Sequence, residues 1–574
     1  MKMTILSHAG LLVESQGKQL VCDPWLVGSA YWRSWWNYPP VAPELIATLK
    51  PDWIYLTHIH WDHFHGASLK LFSRDTPILV PFDRYTRIRD DLAHIGFTNI
   101  VELRHARRHV LADGIVLTSY QFSPFTDSAV VIEAEDTTIL NANDAKFMGG
   151  PLDQILRRHP RIDFALRSHS SANPRSTFRY LDAPQEQTDD AEGYSRAFCA
   201  FMYRVRPRFA VPFASNHRHL HKDTWDYNRQ ITPPDVVARA FEIYQREHPF
   251  PTELKVMASG DSWDTASGFD ITTSPWQTDR ERQLAAYADS KRESLERTYA
   301  REARARIRDD VAQKYLLAIA NATPYVLRMR FRGHPVLFDV RAGERRQGFL
   351  VDLWSRTVTV VDPATADPMM MRVIIPTEVF KAALLLKMFG HAGISKRLRW
   401  QATKADMGRL DLFSGILSWY EAEAIPFRKL LNRRFAVAYL ARWREVLLYA
   451  RLCVGRAART RAARAGGTAA ERPADAPAGS LATRPVHRPR IVRPHNQASP
   501  DSLSGVPRGN TRVSPCSRVS KAAGSIPAAR RASCRACTGA SIASSVSWKV
   551  PKCIPSERRA PRAMCARTAS AGFM

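Results

Sequence analysis

Cysteine is scarce in this chain, and negative charge all but disappears from its end. Only eight cysteines occur in 574 residues, three of them (Cys22, Cys199 and Cys453) before residue 456. None falls at a spacing that builds a disulfide framework, so the sequence predicts a reducing compartment, the cytoplasm. No run of eighteen apolar residues exists. The stretch that comes nearest, Phe380 to Phe389, is short and carries Lys381 and Lys387, so no membrane span is expected. Met1-Lys2-Met3-Thr4-Ile5-Leu6 runs directly into a strand pattern, without the apolar core and cleavage site of a signal peptide. Beyond residue 455 there are 22 Lys and Arg against 4 Asp and Glu, so most of the +28 net charge belongs to the tail. The remaining excess is mild for a body of this size, and no nucleic-acid partner is expected.

What is present is the material of a globular protein, with 45% apolar and 10% aromatic residues. Residues 1–270 alternate short β-rich runs (Met3–Leu6, Leu11–Glu14, Gln19–Cys22, Trp53–Thr57, Ile115–Tyr120, Ala129–Glu133, Thr138–Asn141, Phe164–Ser168, Phe209–Pro212) with helical ones, predicting a layered α/β architecture with mixed sheets. Residues 271–324 are dense in charge, with Leu284, Tyr287, Leu295 and Tyr299 at helical spacing, and predict a helical connector. Residues 325–455 predict a small α+β domain, with strands at Val326–Phe331, Phe349–Trp354 and Thr357–Val361 followed by a mainly helical stretch. Residues 456–574 are rich in Ala, Arg, Pro and Ser, lack periodicity, and predict a disordered basic tail.

The chemistry concentrates in Thr57-His58-Ile59-His60-Trp61-Asp62-His63, directly after the apolar run Trp53–Leu56. In an extended segment side chains at i and i+2 share a side, so His58 and His60 face one way together. Asp62 and His63 follow from the turn and can close on the same point. Neutral imidazole and carboxylate suit a borderline divalent metal, with coordination positions left for water or substrate.

This run resembles the His-x-His-x-Asp-His signature of the metallo-β-lactamase superfamily, which implies an αβ/βα sandwich with metal at one edge of its two sheets. The resemblance implies further ligands after later strands. Ile139-Leu140-Asn141-Ala142-Asn143-Asp144 offers Asp144, and His217-Arg218-His219-Leu220-His221 offers His217 first, His221 second and His219 as a bystander. A superfamily imidazole expected before the Asp127 strand is replaced near Ser123 or Gln121, which weakens one half of a dinuclear site and opens the way to a single metal, zinc or iron. Asp23-Pro24-Trp25, Trp32-Arg33-Ser34-Trp35-Trp36, Asp127-Ser128-Ala129 and Pro212-Phe213-Ala214 are similar to the metallo-β-lactamase-like part of nucleotide-sugar hydroxylases acting on CMP-N-acetylneuraminate or UDP-N-acetylmuramate. Those hydroxylases also carry a Rieske iron–sulfur domain, and the Cys-x-His and Cys-x-x-His pair that marks it does not occur in this sequence.

The resemblance implies a metal-dependent hydrolase using one or two zinc ions. His58, His60, His63, Asp144 and His217 (or His221) would be ligands, and Asp62 would orient or deprotonate the attacking water. Trp32, Trp35 and Trp36 could stack a base or sugar, and Arg167, His169 and Arg175 could meet an anionic group of a small-molecule substrate such as a nucleotide-sugar. The alternatives are an iron-dependent hydroxylase needing a redox partner, and a catalytically silent binding module.

Overall fold

Gln16 and Gly17 both take left-handed backbone angles (φ 50° and 73°), as a two-residue hairpin turn requires, and they join strand Leu11–Ser15 to Lys18–Cys22. The computed structural model describes residues 1–452, apart from 124–126, 171, 173, 187, 189–190 and 273–277. The expected tail, 456–574, lies outside the described residues. Those described fall within one compact unit.

Among the described residues, two large sheets face each other. The first holds eight strands, with Lys2–Ile5, Leu11–Ser15 and Lys18–Cys22 antiparallel, then Trp53–Tyr55, Ile78–Pro81 and Ile100–Leu103 added in parallel. The second holds seven, with Ile115–Phe122, Asp127–Ala134 and Thr137–Asn143 as a meander and Phe164–Ser168 and Phe209–Phe213 parallel to the last. Period-two alternation explains the layers. Met3, Ile5, Leu11, Val13 and Leu20 point inward to meet Leu117, Val130, Ile132, Phe164 and Leu166 of the facing sheet. Intervening residues point outward beneath helices: Leu12, Val21 and Ile54 with Ile88 and Leu92, and Val131, Leu140 and Ala165 with Ile155, Phe198 and Phe241. This order of helix, sheet, sheet and helix layers is the αβ/βα sandwich.

Residues 336–402 contribute to a third sheet, which also takes in Phe178–Tyr180 from between the sandwich elements, paired with Arg399–Ala402. Its core joins Phe338, Val340, Val373 and Ile375 to Phe380, Leu410 and Phe413 of the helices that cover it. The strand expected at 326–331 is instead helical, Tyr325–Arg328 followed by a 3-10 turn at Met329–Phe331. Pro324 caps it, its carbonyl accepting from Leu327 and Arg328 N–H at 3.0 and 3.1 Å. Leu327 and Phe331, four apart, both meet the core, so the alternation hid a helical repeat. The neighbouring strand Val336–Ala342 escaped sequence analysis because it is buried along nearly its whole length and shows no alternation. Among the described residues, no helix is long and apolar enough to cross a membrane.

Candidate metal centre

Strand direction decides which side chains meet. Lys2–Ile5, Lys18–Cys22 and Trp53–Tyr55 run the same way, so the residues that follow them, His8, Asp23 and His58, emerge at one end of the first sheet. In the second sheet, Thr137–Asn143, Phe164–Ser168 and Phe209–Phe213 are parallel and lead to Asp144, His169 and His217. Asp127 opens the antiparallel strand beside the first of these, at the same end. Ligand sites in α/β sheets gather at such strand ends.

The His-x-His-x-Asp-His turn is held from behind by Asp23. Its Oδ1 accepts the Thr57 backbone N–H at 2.8 Å, and its Oδ2 accepts the Thr57 hydroxyl at 2.7 Å and faces His63 Nδ1 at 2.8 Å. That contact keeps a proton on His63 Nδ1, and among the described residues its buried Nε2 has no hydrogen-bond partner. That Nε2 lies 3.6 Å from Asp62 Oδ2 and 3.9 Å from Asp144 Oδ2. His58 Nδ1 sits 3.0 Å from the Thr57 hydroxyl, which turns its Nε2 toward Asp144 Oδ2 (3.6 Å) and His60 Nδ1 (2.7 Å). Asp62 receives the Tyr31 hydroxyl on Oδ1 at 2.5 Å, and His8 Nε2 lies 3.1 Å from its Oδ2.

Among the described residues, three donor groups gather here, each with ligand atoms within 4.8 Å of one another: His58, His60 and Asp127; His58, His63 and Asp144; and His8, Asp62 and His63, while a fourth, His221, Asp223 and Glu302, lies apart from the turn. Electrostatics match a cation. Burial, then His58, pushes His60 down to about 3, and burial chiefly lowers His58, so both imidazoles keep free lone pairs near neutrality. Burial, then Asp144, lifts Asp127 to about 7. Burial opposes a charge on His63, but Asp62, Asp144 and Asp23 outweigh it and raise that group to about 10. Burial would also raise Asp62, yet His63 and His8 hold it well below the usual carboxylate range. A pocket of carboxylates that keeps a proton on one imidazole is short of positive charge. With the orphaned His63 Nε2 and Asp144 Oδ1, the donor set fits one or two divalent metal ions.

Other sequence candidates have different surroundings. His217 is stacked on Trp35 (3.7 Å between centroids, 3°) and lies 5.2 Å from the His8 ring, with neither ring nitrogen hydrogen-bonded. His219 meets the Ser34 hydroxyl at 3.2 Å. His221 turns away to Glu302 (3.3 Å), which also grips buried Arg397. Trp32 pairs with Trp61 at 4.7 Å to form an aromatic wall beside the ligand turn, whereas Trp35 is fully buried and Trp36 packs against Tyr287. Arg167 lies over Phe201 and pairs in register with Asn143, next to Asp144. His169 is buried, and Arg175 reaches Asp411 at 3.2 Å.

The Glu302 clamp carries a stability prediction. Burial alone would raise this carboxyl, but His221 and Arg397 lower it to about 2. A depressed carboxylate contributes stability above its unfolded value, and that contribution is lost as pH falls through the folded one. The chain should therefore lose up to about 3 kcal/mol from this group between pH 4.5 and 2. Glu302→Gln should flatten that part of an acid-unfolding curve, and an unchanged curve would dismiss the clamp.

Three residues of the centre, Asp127, His8 and Asp23, are not among the site residues expected from the sequence. Asp127 lies in a donor group with His58 and His60. Gln121 is instead bonded to the Leu103 carbonyl and Ser119, and the Ser123 N–H donates to Glu445. The usable signal was a carboxylate opening the strand after the gap. His8 and Asp23 each follow a strand parallel to the motif strand, a relation that appears only once the sheet order is known. Tyr31, Trp32 and Arg33 also adopt three successive left-handed conformations (φ 52°, 54° and 64°), at about 1–2 kcal/mol each. The turn is fastened by Tyr31 to Asp62, by Arg397 to the Trp32 carbonyl (2.8 Å) and by Trp36 Nε1 to the Arg33 carbonyl (2.9 Å). Strain held this firmly beside a donor cluster is typical of functional sites.

A two-sheet αβ/βα sandwich with a His-x-His-x-Asp-His turn at its sheet edge defines a metallo-β-lactamase-fold protein. The N-terminal part is similar to a protein named as a Rieske iron–sulfur protein and to a sugar-nucleotide hydroxylase. It is 30% identical over 182 residues to the "Putative Rieske 2Fe-2S iron-sulfur protein" of Mycolicibacterium smegmatis, covering 30% of this chain and 35% of that one. It is 31% identical over 157 residues to the cytidine monophosphate-N-acetylneuraminic acid hydroxylase of Mus musculus, covering 25% of this chain and 26% of that one. The matches thus span about a third or less of these curated relatives. No family model matches the chain. Among solved structures it is similar to Igni18, a metallo hydrolase of Ignicoccus hospitalis (18% identity, 46% of this chain and 96% of that one, TM-score 0.31). It is also similar to CmlA, a diiron β-hydroxylase of Streptomyces venezuelae (14%, 46% and 53%, TM-score 0.31).

Proposed function

We propose that this protein is a metal-dependent hydrolase that cleaves a phosphoester, ester or amide in a small-molecule substrate with an anionic part, such as a nucleotide-sugar. The observation that carries this is Asp62, a buried carboxylate fixed by Tyr31 and His8 and aimed at the donor atoms of His63. His58, His60 and Asp127 would hold one ion, Asp62 and His63 with His8 a second, and Asp144 stands against both sets through His58 and His63. A bound divalent metal supplies a water of near-neutral pKa and polarises the oxygen of the scissile group. Asp62, held well below the usual carboxylate range, is a weak base, so it accepts a hydrogen bond and orients the attacking water rather than storing its proton. Trp32 and Trp61 shield the turn from solvent and offer a face for a flat or sugar ring. Arg167, beside the end of the Asp144 strand, would meet an anionic group.

A second reading, an iron-dependent hydroxylase, is favoured by Asp127, since a carboxylate in place of an imidazole makes the donor set harder and suits iron. The relatives named as a hydroxylase and as a Rieske protein support it too. Inserting one oxygen atom of O2 into a C–H bond while reducing the other to water takes two electrons and two protons, so a separate iron–sulfur protein would have to donate the electrons. Metal analysis of the purified full chain separates the two readings. The hydrolase should hold zinc and cleave bis(4-nitrophenyl) phosphate or 4-nitrophenyl acetate, with activity lost to a chelator and restored by zinc. Stoichiometric iron together with oxygen uptake driven by a reduced iron–sulfur donor would overturn it.

A further inference from the structure

The third sheet and its helices reach the metal centre through one short segment. Helix Phe389–Ile394 is anchored at its start by Glu421, which accepts the Phe389 N–H at 2.6 Å and the Gly390 N–H at 3.2 Å. Tyr315 donates its hydroxyl to the same carboxylate at 3.2 Å. Just past the helix, the Ser395 carbonyl accepts the Ser34 hydroxyl at 2.6 Å, and Arg397 donates to the Trp32 carbonyl. The segment is thus pinned on both sides of His391. That imidazole is buried, with its ring 5.3 Å from His60 at 81°, 5.3 Å from Trp61 and 6.0 Å from Tyr31. Its Nε2 lies 3.2 Å from the Ile59 carbonyl, so the proton sits on Nε2 and is donated to that oxygen.

Ile59 separates the two donors His58 and His60, and rotation of its peptide would swing one against the other. The turn's own hydrogen bonds, from His63 and Phe64 N–H at 3.0 and 2.7 Å, run to the His60 carbonyl. Among the described residues they leave the Ile59 carbonyl to His391. We propose that His391 is a positioning residue of the metal centre, contributed by the C-terminal layer, that locks the Ile59 peptide and the His60 ring in ligating orientation. Partners of this kind, one shell behind the ligands, tune metal affinity by 10–100-fold. The proposal rests on the metal reading of the cluster, and its test separates the two.

Full-length His391→Leu, which fills the space without a donor, is compared with His391→Gln, whose amide N–H can reach the carbonyl, and with Leu385→Ala on an exposed site of the preceding helix. Metal-stripped protein is read by amide exchange at His63 and Phe64, and cobalt(II)-loaded protein by its visible spectrum and by chelator competition. The leucine variant should exchange these amides at least tenfold faster, shift the cobalt bands and bind cobalt at least tenfold more weakly. Glutamine should recover most of each effect, and Leu385→Ala should match the wild type. Wild-type exchange and affinity in the leucine variant, or glutamine no better than leucine, would overturn the proposal. Should the wild type bind no metal, the metal reading falls, and the exchange rates of the stripped chain still decide whether His391 positions the turn.

Discussion

Asp62→Asn should lower turnover at least about a hundredfold, the low end of what a positioned acid–base group contributes. The Asp62 Oδ1 accepts the Tyr31 hydroxyl, and its Oδ2 lies 3.1 Å from His8 Nε2. An amide can accept on only one side, so one of these buried neighbours would face an N–H2 group, and the negative charge beside His63 would be gone. Tyr31→Phe makes the instructive companion. It keeps the charge and removes one of the two groups fixing the carboxylate, at about 1.5–3 kcal/mol for a hydrogen bond to a charged group. Its loss should be roughly tenfold to a hundredfold, in the same direction as Asp62→Asn but smaller. Rates on bis(4-nitrophenyl) phosphate, with metal content measured on the same samples, decide the matter. An asparagine variant within about threefold of wild type, at equal metal content, would remove Asp62 from the chemistry.

The parts of this centre legible in the sequence are those whose geometry is local. His58 and His60 follow from the two-residue period of a strand, and Asp62 and His63 from the turn that succeeds it. Asp144 comes instead from the resemblance, which implies a carboxylate after a later strand. Residues brought in by topology were harder to see. His8 and Asp23 lie 50 and 35 positions before His58 and reach it only because three strands of one sheet run in the same direction. His391 is more than 300 residues from the turn that it touches, on a helix with no pattern of its own to distinguish it. The run from His217 to His221 shows the converse difficulty. A three-residue strand bound to Trp35–Asn37 and the bend after it send His217, His219 and His221 to three environments: an aromatic stack, a hydroxyl and the Glu302 clamp. Alternation also misled at 326–331, where apolar residues four apart satisfied helix and strand alike.

Asp23→Ala should cause the largest loss of stability of any change near the site, about 3–5 kcal/mol, as expected when one partner of a buried charged network is removed. Asp23 has no solvent exposure and ties together the Thr57 N–H, the Thr57 hydroxyl and His63 Nδ1. Alanine would strand the Thr57 N–H inside the sandwich, leave the Thr57 hydroxyl and His63 Nδ1 only each other and His58 as neighbours, and free the His63 ring to choose either tautomer. Metal affinity should therefore fall 10–100-fold along with stability. Thr57→Val, which removes a single member, should cost less, and the double variant should cost less than the sum, because both changes break one network. The pH dependence of the metal-free chain gives a further check. Burial would lower His63, but the surrounding carboxylates, Asp23 among them, raise it to about 10. A raised histidine contributes stability that is complete below its unfolded value near 6.5 and is lost as pH climbs through the folded value. The cost of Asp23→Ala should accordingly be greatest near pH 6 and shrink toward pH 10, leaving the part due to the stranded Thr57 N–H. Urea unfolding of the metal-stripped chain across that range measures it. A cost below about 1 kcal/mol at pH 6, or one that grows with pH, would mean that Asp23 does not hold His63 in the folded protein.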